Sequence, residues 1–136
     1  MQKLSFLLSL LCLNFLLGCV SAGPTEQENI EANAHAQVSQ SHFDEKKYPE
    51  SLSALDRALA IDPENSSYIM SKGIIFYKMG LLDDAASWVS RACSIHKAFP
   101  ECWNNLAVIL NAQKKYPEAL KMAEEHPQLY KELFQL

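Results

Sequence analysis

The chain has little that would support catalysis, nucleotide binding or nucleic-acid binding. It contains only 4 glycines, and neither a glycine-rich phosphate loop nor a GxSxG nucleophile motif occurs. Its 12 basic side chains are outnumbered by 16 acidic ones and form no basic stripe, so a phosphate backbone is a poor partner. Histidines occur at His35, His42, His96 and His126, but none has HExxH or zinc-type spacing. The sequence therefore predicts no enzyme, no cofactor or metal, and no nucleic-acid partner.

The chain also lacks an apolar run long enough to span a bilayer. Apolar side chains follow Lys3 from Leu4 to Leu17, whereas a spanning helix needs about 20 such residues. A charged start, a short apolar segment and polar sequence beyond it are typical of a cleaved export signal. We therefore expect residues 1–18 to be a signal peptide and the mature protein to be exported.

The end of the apolar run, Leu16-Leu17-Gly18-Cys19, resembles the lipobox of bacterial lipoprotein signals. The resemblance implies that Cys19 becomes the acylated first residue of the mature chain and anchors it to a membrane. Val20 is not the aspartate that favours retention in the inner membrane, so the resemblance favours the outer membrane, facing the periplasm. Two alternatives stay open. Cleavage after Ala22 would give a soluble periplasmic or secreted protein, and an uncleaved signal would act as an anchor.

Residues 19–31 are polar and acidic, which predicts a flexible tether between the anchor and the folded body. Cys12 leaves with the signal, so Cys93 and Cys102 are the cysteines of the folded body. They fall near the end of one predicted helix and the start of the next, and an exported protein meets an oxidising compartment. We expect either a disulfide or two small buried hydrophobic residues at this junction.

A period of 34 residues organises the rest of the chain. Similar short segments begin at Tyr48, Leu82 and Tyr116, so that 82 − 48 and 116 − 82 both equal 34. Helical patterning fills each repeat, and proline at the start of a helix loses no hydrogen bond. The predicted first helices are Asn33–Glu45, Tyr68–Met79 and Glu101–Gln113, and the predicted second helices are Pro49–Ile61, Asp83–Ile95 and Pro117–Glu125.

This spacing and the residues that recur resemble the tetratricopeptide repeat. The third repeat carries the pattern most clearly, in Trp103, Leu106, Ala107, Leu110, Tyr116 and Ala119. The resemblance implies an all-α fold, a short right-handed solenoid of about three helical hairpins at 32–65, 66–99 and 100–127. The apolar residues within 128–136 predict a short C-terminal helix that caps the open end or serves in self-association. Gly73, inside a predicted helix, indicates a close approach of the partner helix.

Stacked hairpins leave a concave side lined by the first helices, and that side is the default binding surface. By resemblance, its groove positions are Gln37, Gln40, Phe43, Met70, Ile74, Tyr77, Asn104, Asn105, Val108 and Asn111. Amides that bond a peptide backbone beside apolar side chains suit a peptide ligand. The alternative is a solvated face without a ligand. Chaperone-binding members of the family clamp a C-terminal carboxylate with cations and asparagine, but the matching residues here are Ala36, Gln40, Ser71, Glu101 and Asn105.

Together these features predict a non-enzymatic, exported and lipid-anchored interaction module or scaffold. Its expected partner is a protein or peptide in an assembly of the cell envelope. The narrower alternative is a pilotin-like or secretion-system assembly lipoprotein. An alternative from a different functional class is a structural envelope subunit that self-associates through its C-terminal end.

Overall fold

The computed structural model describes residues 23–126, which form α-helices joined by short loops. The helices are α1 (Glu26–Asp44), α2 (Tyr48–Ile61), α3 (Ser66–Lys78), α4 (Leu82–Ile95), α5 (Pro100–Ala112) and α6 (Tyr116–Glu125). They pair as three hairpins, α1 with α2, α3 with α4 and α5 with α6, and successive hairpins contact each other. The predicted all-α fold is confirmed. The signal at 1–18, the lipobox and the C-terminal helix at 128–136 lie outside the described residues.

The turn inside each hairpin repeats with the sequence period. Each first helix is followed by one left-handed residue, with φ of 60° at Lys46, 79° at Gly80 and 62° at Lys114. After Gly80, the amide of Leu81 donates to the carbonyl of Phe76 at 3.0 Å, and the equivalent bonds after Lys46 and Lys114 are 2.9 Å long. These bonds satisfy carbonyls that the helix end leaves free. The same turn therefore joins the two helices of each hairpin.

The start of α1 differs from the prediction. Residues 26–31, assigned by the sequence to a flexible tether, form the first turns of a helix that was expected to begin at Asn33. Thr25 and Glu28 form a capping box, in which each side chain bonds the backbone amide of the other residue. The tether prediction is wrong from Glu26 onward because these acidic residues cap a helix. The other helix ends agree with the prediction to within two residues.

A glycine brings the two helices of the central hairpin close together. Gly73 on α3 is buried, and its backbone lies against Val89 and the carbonyl of Ala85 on α4. The larger core cluster, which includes Ile69, Val89 and Leu106, spans α3 to α5, and a second cluster around Leu55 and Ile75 spans α1 to α3. The core therefore lies between the helix layers and leaves the outer sides of the first helices free to form a surface.

Cys93 and Cys102 are joined by a disulfide, with their Cα atoms 5.5 Å apart. The two expectations for this pair were a disulfide or two small buried hydrophobic residues, and the structure shows the disulfide. Both residues are fully buried, so the bond also belongs to the core. It ties the end of α4 to the start of α5 and so fixes the junction between the second and third hairpins. Within residues 23–126, none of the helices has both the length and the apolar character needed to cross a membrane.

Candidate functional site

The first helices α1, α3 and α5 form a groove with two adjoining pockets. The first, the α1–α3 pocket, has a volume of about 200 Å³ and lies between the first two hairpins. Its walls come from α1 and α3, and its floor includes side chains of α2. Its lining residues are Ala36, Ser39, Gln40, Phe43, Ser51, Leu55, Ser71, Ile74 and Ile75.

Two buried serines lie at the base of the α1–α3 pocket. The hydroxyl of Ser51 donates to the carbonyl oxygen of Ser39 at 2.8 Å, and the two hydroxyl oxygens are 3.0 Å apart. A serine hydroxyl has one proton, so the hydroxyl of Ser39 is the donor between the two oxygens. The pair therefore satisfies its own donors and links α1 to α2 beneath the groove.

The second pocket, the α3–α5 pocket, has a volume of about 220 Å³ and lies between the second and third hairpins. Ile74 borders both pockets, so the groove continues across all three first helices. Unlike its neighbour, this pocket includes a cation, Lys78, whose ammonium nitrogen lies 5.9 Å from the centre of the Tyr77 ring. Its lining residues are Ile74, Tyr77, Lys78, Asn105, Val108 and Ile109.

The spacing between α1 and α3 is held by a polar contact at one edge of the groove. The hydroxyl of Tyr68 on α3 donates to the side-chain oxygen of Asn33 on α1 at 2.7 Å. Burial, with a smaller contribution from the charge of Asp62, raises the pKa of Tyr68, so the hydroxyl keeps its proton and remains a donor at neutral pH. This bond ties α1 to α3 and so links the first two hairpins.

Charged side chains of the second hairpin make ion pairs, hydrogen bonds and ring contacts outside the groove. Lys72 on α3 forms an ion pair with Asp56 on α2, and its ammonium nitrogen lies 4.3 Å from the centre of the Trp88 ring. Arg91 contacts the same ring and donates to the carbonyl of Pro63. These contacts join the first two hairpins away from the pockets. Among residues 23–126, no group of three or more His, Cys, Asp or Glu side chains could hold a metal ion.

The structure places most of the predicted groove residues together. The pockets are lined by Gln40, Phe43, Ile74, Tyr77, Asn105 and Val108. Met70 packs against the larger core cluster, and its sulfur accepts a hydrogen bond of 3.5 Å from the side-chain amide of Asn105. It therefore supports the groove from behind.

Gln37, Met70, Asn104 and Asn111 line neither pocket, and their part in binding stays a prediction. Gln37 and Asn111 are exposed, and Asn104 is half-buried.

Eight lining residues were not predicted as groove residues: Ala36, Ser39, Ser51, Leu55, Ser71, Ile75, Lys78 and Ile109. Ser39 and Ser51 form the polar floor, while Lys78 and Ile109 complete the α3–α5 pocket. Small side chains on facing helices are the signal that could have revealed the first pocket. Ala36, Ser39 and Ser71 leave space unfilled where α1 meets α3.

Known proteins match the chain in sequence and in fold. Two tetratricopeptide repeat family models match it, one at residues 39–101 and one at residues 101–135. The crystal structure of MamA aligns with a TM-score of 0.69 and 18% identity, over 78% of this chain and 62% of that chain. The chain thus spans less than two thirds of MamA. The Sgt2 tetratricopeptide domain from Aspergillus fumigatus aligns with a TM-score of 0.70 and 18% identity, over 83% of this chain and 72% of that chain.

A further similar structure is the first tetratricopeptide domain of Spaghetti (RPAP3), bound to the HSP90 peptide SRMEEVD. It aligns with a TM-score of 0.69 and 18% identity, over 74% of this chain and 80% of that chain. Structural similarity at 18% sequence identity establishes the fold alone. The hairpin geometry, the period of 34 and the two family models agree, and the chain is thus built of tetratricopeptide repeats, matched from residue 39 to residue 135.

Proposed function

We propose that this chain is a non-enzymatic module that binds a protein or peptide partner along its groove. The observation that carries the proposal is the pair of open pockets that meet at Ile74 and extend from α1 to α5. A groove of this length matches an extended or helical segment rather than a compact small molecule. Structures with the same fold support the idea, since Spaghetti (RPAP3) was solved with an HSP90 peptide and the TPR2B domain of yeast Sti1 in complex with pHsp70.

We further propose that the protein is exported and lipid-anchored through Cys19, and that its partner belongs to a cell-envelope assembly at the outer membrane, facing the periplasm. The signal-like start of the chain supports this proposal. The disulfide between Cys93 and Cys102 supports it independently, because such bonds persist in oxidising compartments and are rare in the cytosol. A pilotin-like or secretion-system lipoprotein is a narrower form of the same proposal.

A self-associating structural subunit is the second candidate. The observation that favours it is the exposure of two large side chains on the last described helix, with Tyr116 at 58% and Leu120 at 55%. Contact through this end would bring copies of the chain together rather than recruit a different protein. The two candidates differ in which surface contacts the partner.

Photo-crosslinking in cells that produce the protein tests the first candidate against the second. A photoreactive amino acid replaces Tyr77 in the groove, Leu120 on α6, or Ile30, which is exposed on α1 as a control. Capture of a different protein from Tyr77 but not from Ile30 supports groove binding. Capture of a second copy from Leu120, with none from Tyr77, overturns groove binding and supports self-association.

A further inference from the structure

We infer that the α1–α3 pocket receives one uncharged side chain, aliphatic or aromatic, from an internal segment of the partner protein. The inference rests on the proposed groove function and specifies the ligand that the groove selects. It depends on the size of the pocket, the charge of its walls and the hydrogen bonding of its floor.

The pocket has the size of a side-chain site. Its volume of about 200 Å³ lies below the roughly 300–1,000 Å³ of sites that enclose small molecules. Phe43 from α1 and Ile74 from α3 supply apolar walls on opposite sides, and Leu55 contributes to the floor. One aliphatic or aromatic group can therefore bury its surface there while the rest of the ligand follows the groove.

The walls select against charge. All nine lining residues are uncharged, and the side-chain amide of Gln40 donates to the carboxylate of Asp44 at 2.8 Å. A carboxylate placed in this pocket would lose water without gaining a cation, and a carboxylate buried without a partner is strongly unfavourable. The pocket therefore excludes acidic side chains and a C-terminal carboxylate, and the inserted side chain comes from within a chain.

An apolar group of a ligand can cover the floor of the α1–α3 pocket without breaking a hydrogen bond. Ser39 and Ser51 are 4% and 0% exposed, and each hydroxyl already donates to a partner within the pair. An apolar group that covers them therefore leaves no donor unpaired. It avoids the free-energy cost of burying a donor without a partner. The hydroxyl oxygen of Ser39, the more exposed of the two, accepts no bond within the pair, so a tyrosine with its O–H group can also enter.

Titration of the full mature chain with defined peptides, followed by ¹⁵N NMR, tests the inference. The probes are decapeptides of glycine and asparagine, acetylated and amidated at their ends, with leucine, tyrosine, glutamate or lysine at one central position. We expect the leucine and tyrosine peptides to shift the amide signals of Gln40, Ser71 and Ile74. The glutamate and lysine peptides should bind this site at least about tenfold more weakly, because their charges would be buried without partners.

Filling the pocket supplies the matched control. Ala36→Leu places a leucine inside the pocket, whereas Ala34→Leu makes the same change at an exposed position on the same helix. We expect Ala36→Leu to abolish the shifts and Ala34→Leu to keep them. Ser71→Leu fills the pocket from α3 and repeats the test if Ala36→Leu disturbs α1.

Three outcomes overturn the inference. The first is equal binding of the glutamate and leucine peptides, the second is peptide shifts that persist in both pocket-filling variants, and the third is the absence of any peptide shift at these signals. If no peptide shifts these signals while Tyr77 still crosslinks a partner in the pocket-filling variants, the inference fails and groove binding stands. If Tyr77 captures no partner, the proposed function fails as well, so the two failures are distinguishable.

Discussion

Gly73 on α3 lies so close to Val89 on α4 that a Cβ atom at residue 73 would stand 2.5 Å from Cγ2 of the valine. The same Cβ atom would lie 3.1 Å from the carbonyl oxygen of Ala85 and from the amide nitrogen of Val89. Two of these three contacts involve backbone atoms, which cannot move without shifting α4. The absence of a side chain at Gly73 therefore sets the distance between the helices of the central hairpin.

Gly73→Ala should destabilise the protein although alanine favours helix more than glycine does. The gain in helix propensity is about 1 kcal/mol, whereas overpacking a tight core contact costs about 1–3 kcal/mol. We expect a net loss of up to about 2 kcal/mol in the free energy of unfolding, measured by urea denaturation, and unfolding or loosening with Gly73→Leu. Ser90→Ala, at an exposed position of α4, is the control. An unchanged or higher stability of Gly73→Ala would show that the hairpin relaxes at little cost.

Reduction of the disulfide should lower stability and loosen the junction of α4 and α5. Cys93 and Cys102 are 9 residues apart, and a loop of this size corresponds to about 2–3 kcal/mol of chain entropy in the unfolded state. We expect thermal melting of the mature protein at a lower temperature with a reducing agent than without it. The Cys93→Ala/Cys102→Ala variant should melt lower as well, but without a response to the reducing agent. Thiol counting on unfolded, unreduced protein provides the decisive check, since two free thiols from this pair would exclude the bond.

Acid should fray the first turns of α1. The hydrogen bonds that Glu28 accepts from Thr25, chiefly from its backbone amide, hold the pKa of that carboxyl below its usual range. A lowered pKa in the folded state means that the carboxylate stabilises the helix at neutral pH and that this contribution is lost as the pH falls through the folded pKa. Cα chemical shifts of residues 26–31 should therefore move toward coil values as the pH falls below the ordinary titration range of a glutamate carboxyl.

Glu28→Gln provides the control for this titration, because glutamine can complete a capping box without a charge. In this variant the shifts of residues 26–31 should respond less to acid. A first turn of α1 that unfolds equally in both proteins would assign the acid effect to another group.

The second to sixth helices could be predicted from the sequence because their signals are local. Pro49 and Pro117 mark helix starts, and similar segments recur every 34 positions, at Tyr48, Leu82 and Tyr116. The start of α1 was missed although its signal is also local. Thr25 and Glu28 stand in a polar stretch whose composition is also that of a linker, and the capping box outweighed composition there.

The groove was harder to predict because its pockets depend on contacts between helices. Family positions pointed to Ile74 and Val108, and both residues border a pocket. The space between Ala36 and Ser71, by contrast, appears only when α1 and α3 are placed side by side. The pairing of Ser39 with Ser51 likewise depends on the register between α1 and α2, which the sequence alone does not determine.

The proposed anchor predicts a defined chemical form of the N-terminus. Cys19→Ala should prevent acylation and move the protein from the detergent phase to the aqueous phase, because the acyl chains provide the membrane affinity, at about 0.8 kcal/mol per buried CH₂ group. Mass spectrometry of the mature wild-type protein should show a lipid-modified cysteine as its first residue. Cys102→Ala serves as the control and should leave the phase behaviour unchanged. An unmodified N-terminus at Gly23 would replace the anchor with soluble export.

The groove proposal predicts that a charge at one exposed valine weakens partner binding, whereas the same change at another exposed valine does not. Val108 borders the α3–α5 pocket and is 45% exposed, while Val38 on α1 lines neither pocket and is 48% exposed. Glutamate at either position should change the free energy of unfolding by less than about 0.5 kcal/mol, because both sites are exposed. Val108→Glu places a charge in the binding surface and should reduce partner capture from the Tyr77 crosslinker by at least about fivefold, which corresponds to about 1 kcal/mol. Val38→Glu should leave capture unchanged. Equal capture by both variants, with melting temperatures that match the wild type, would remove the α3–α5 pocket from the binding surface.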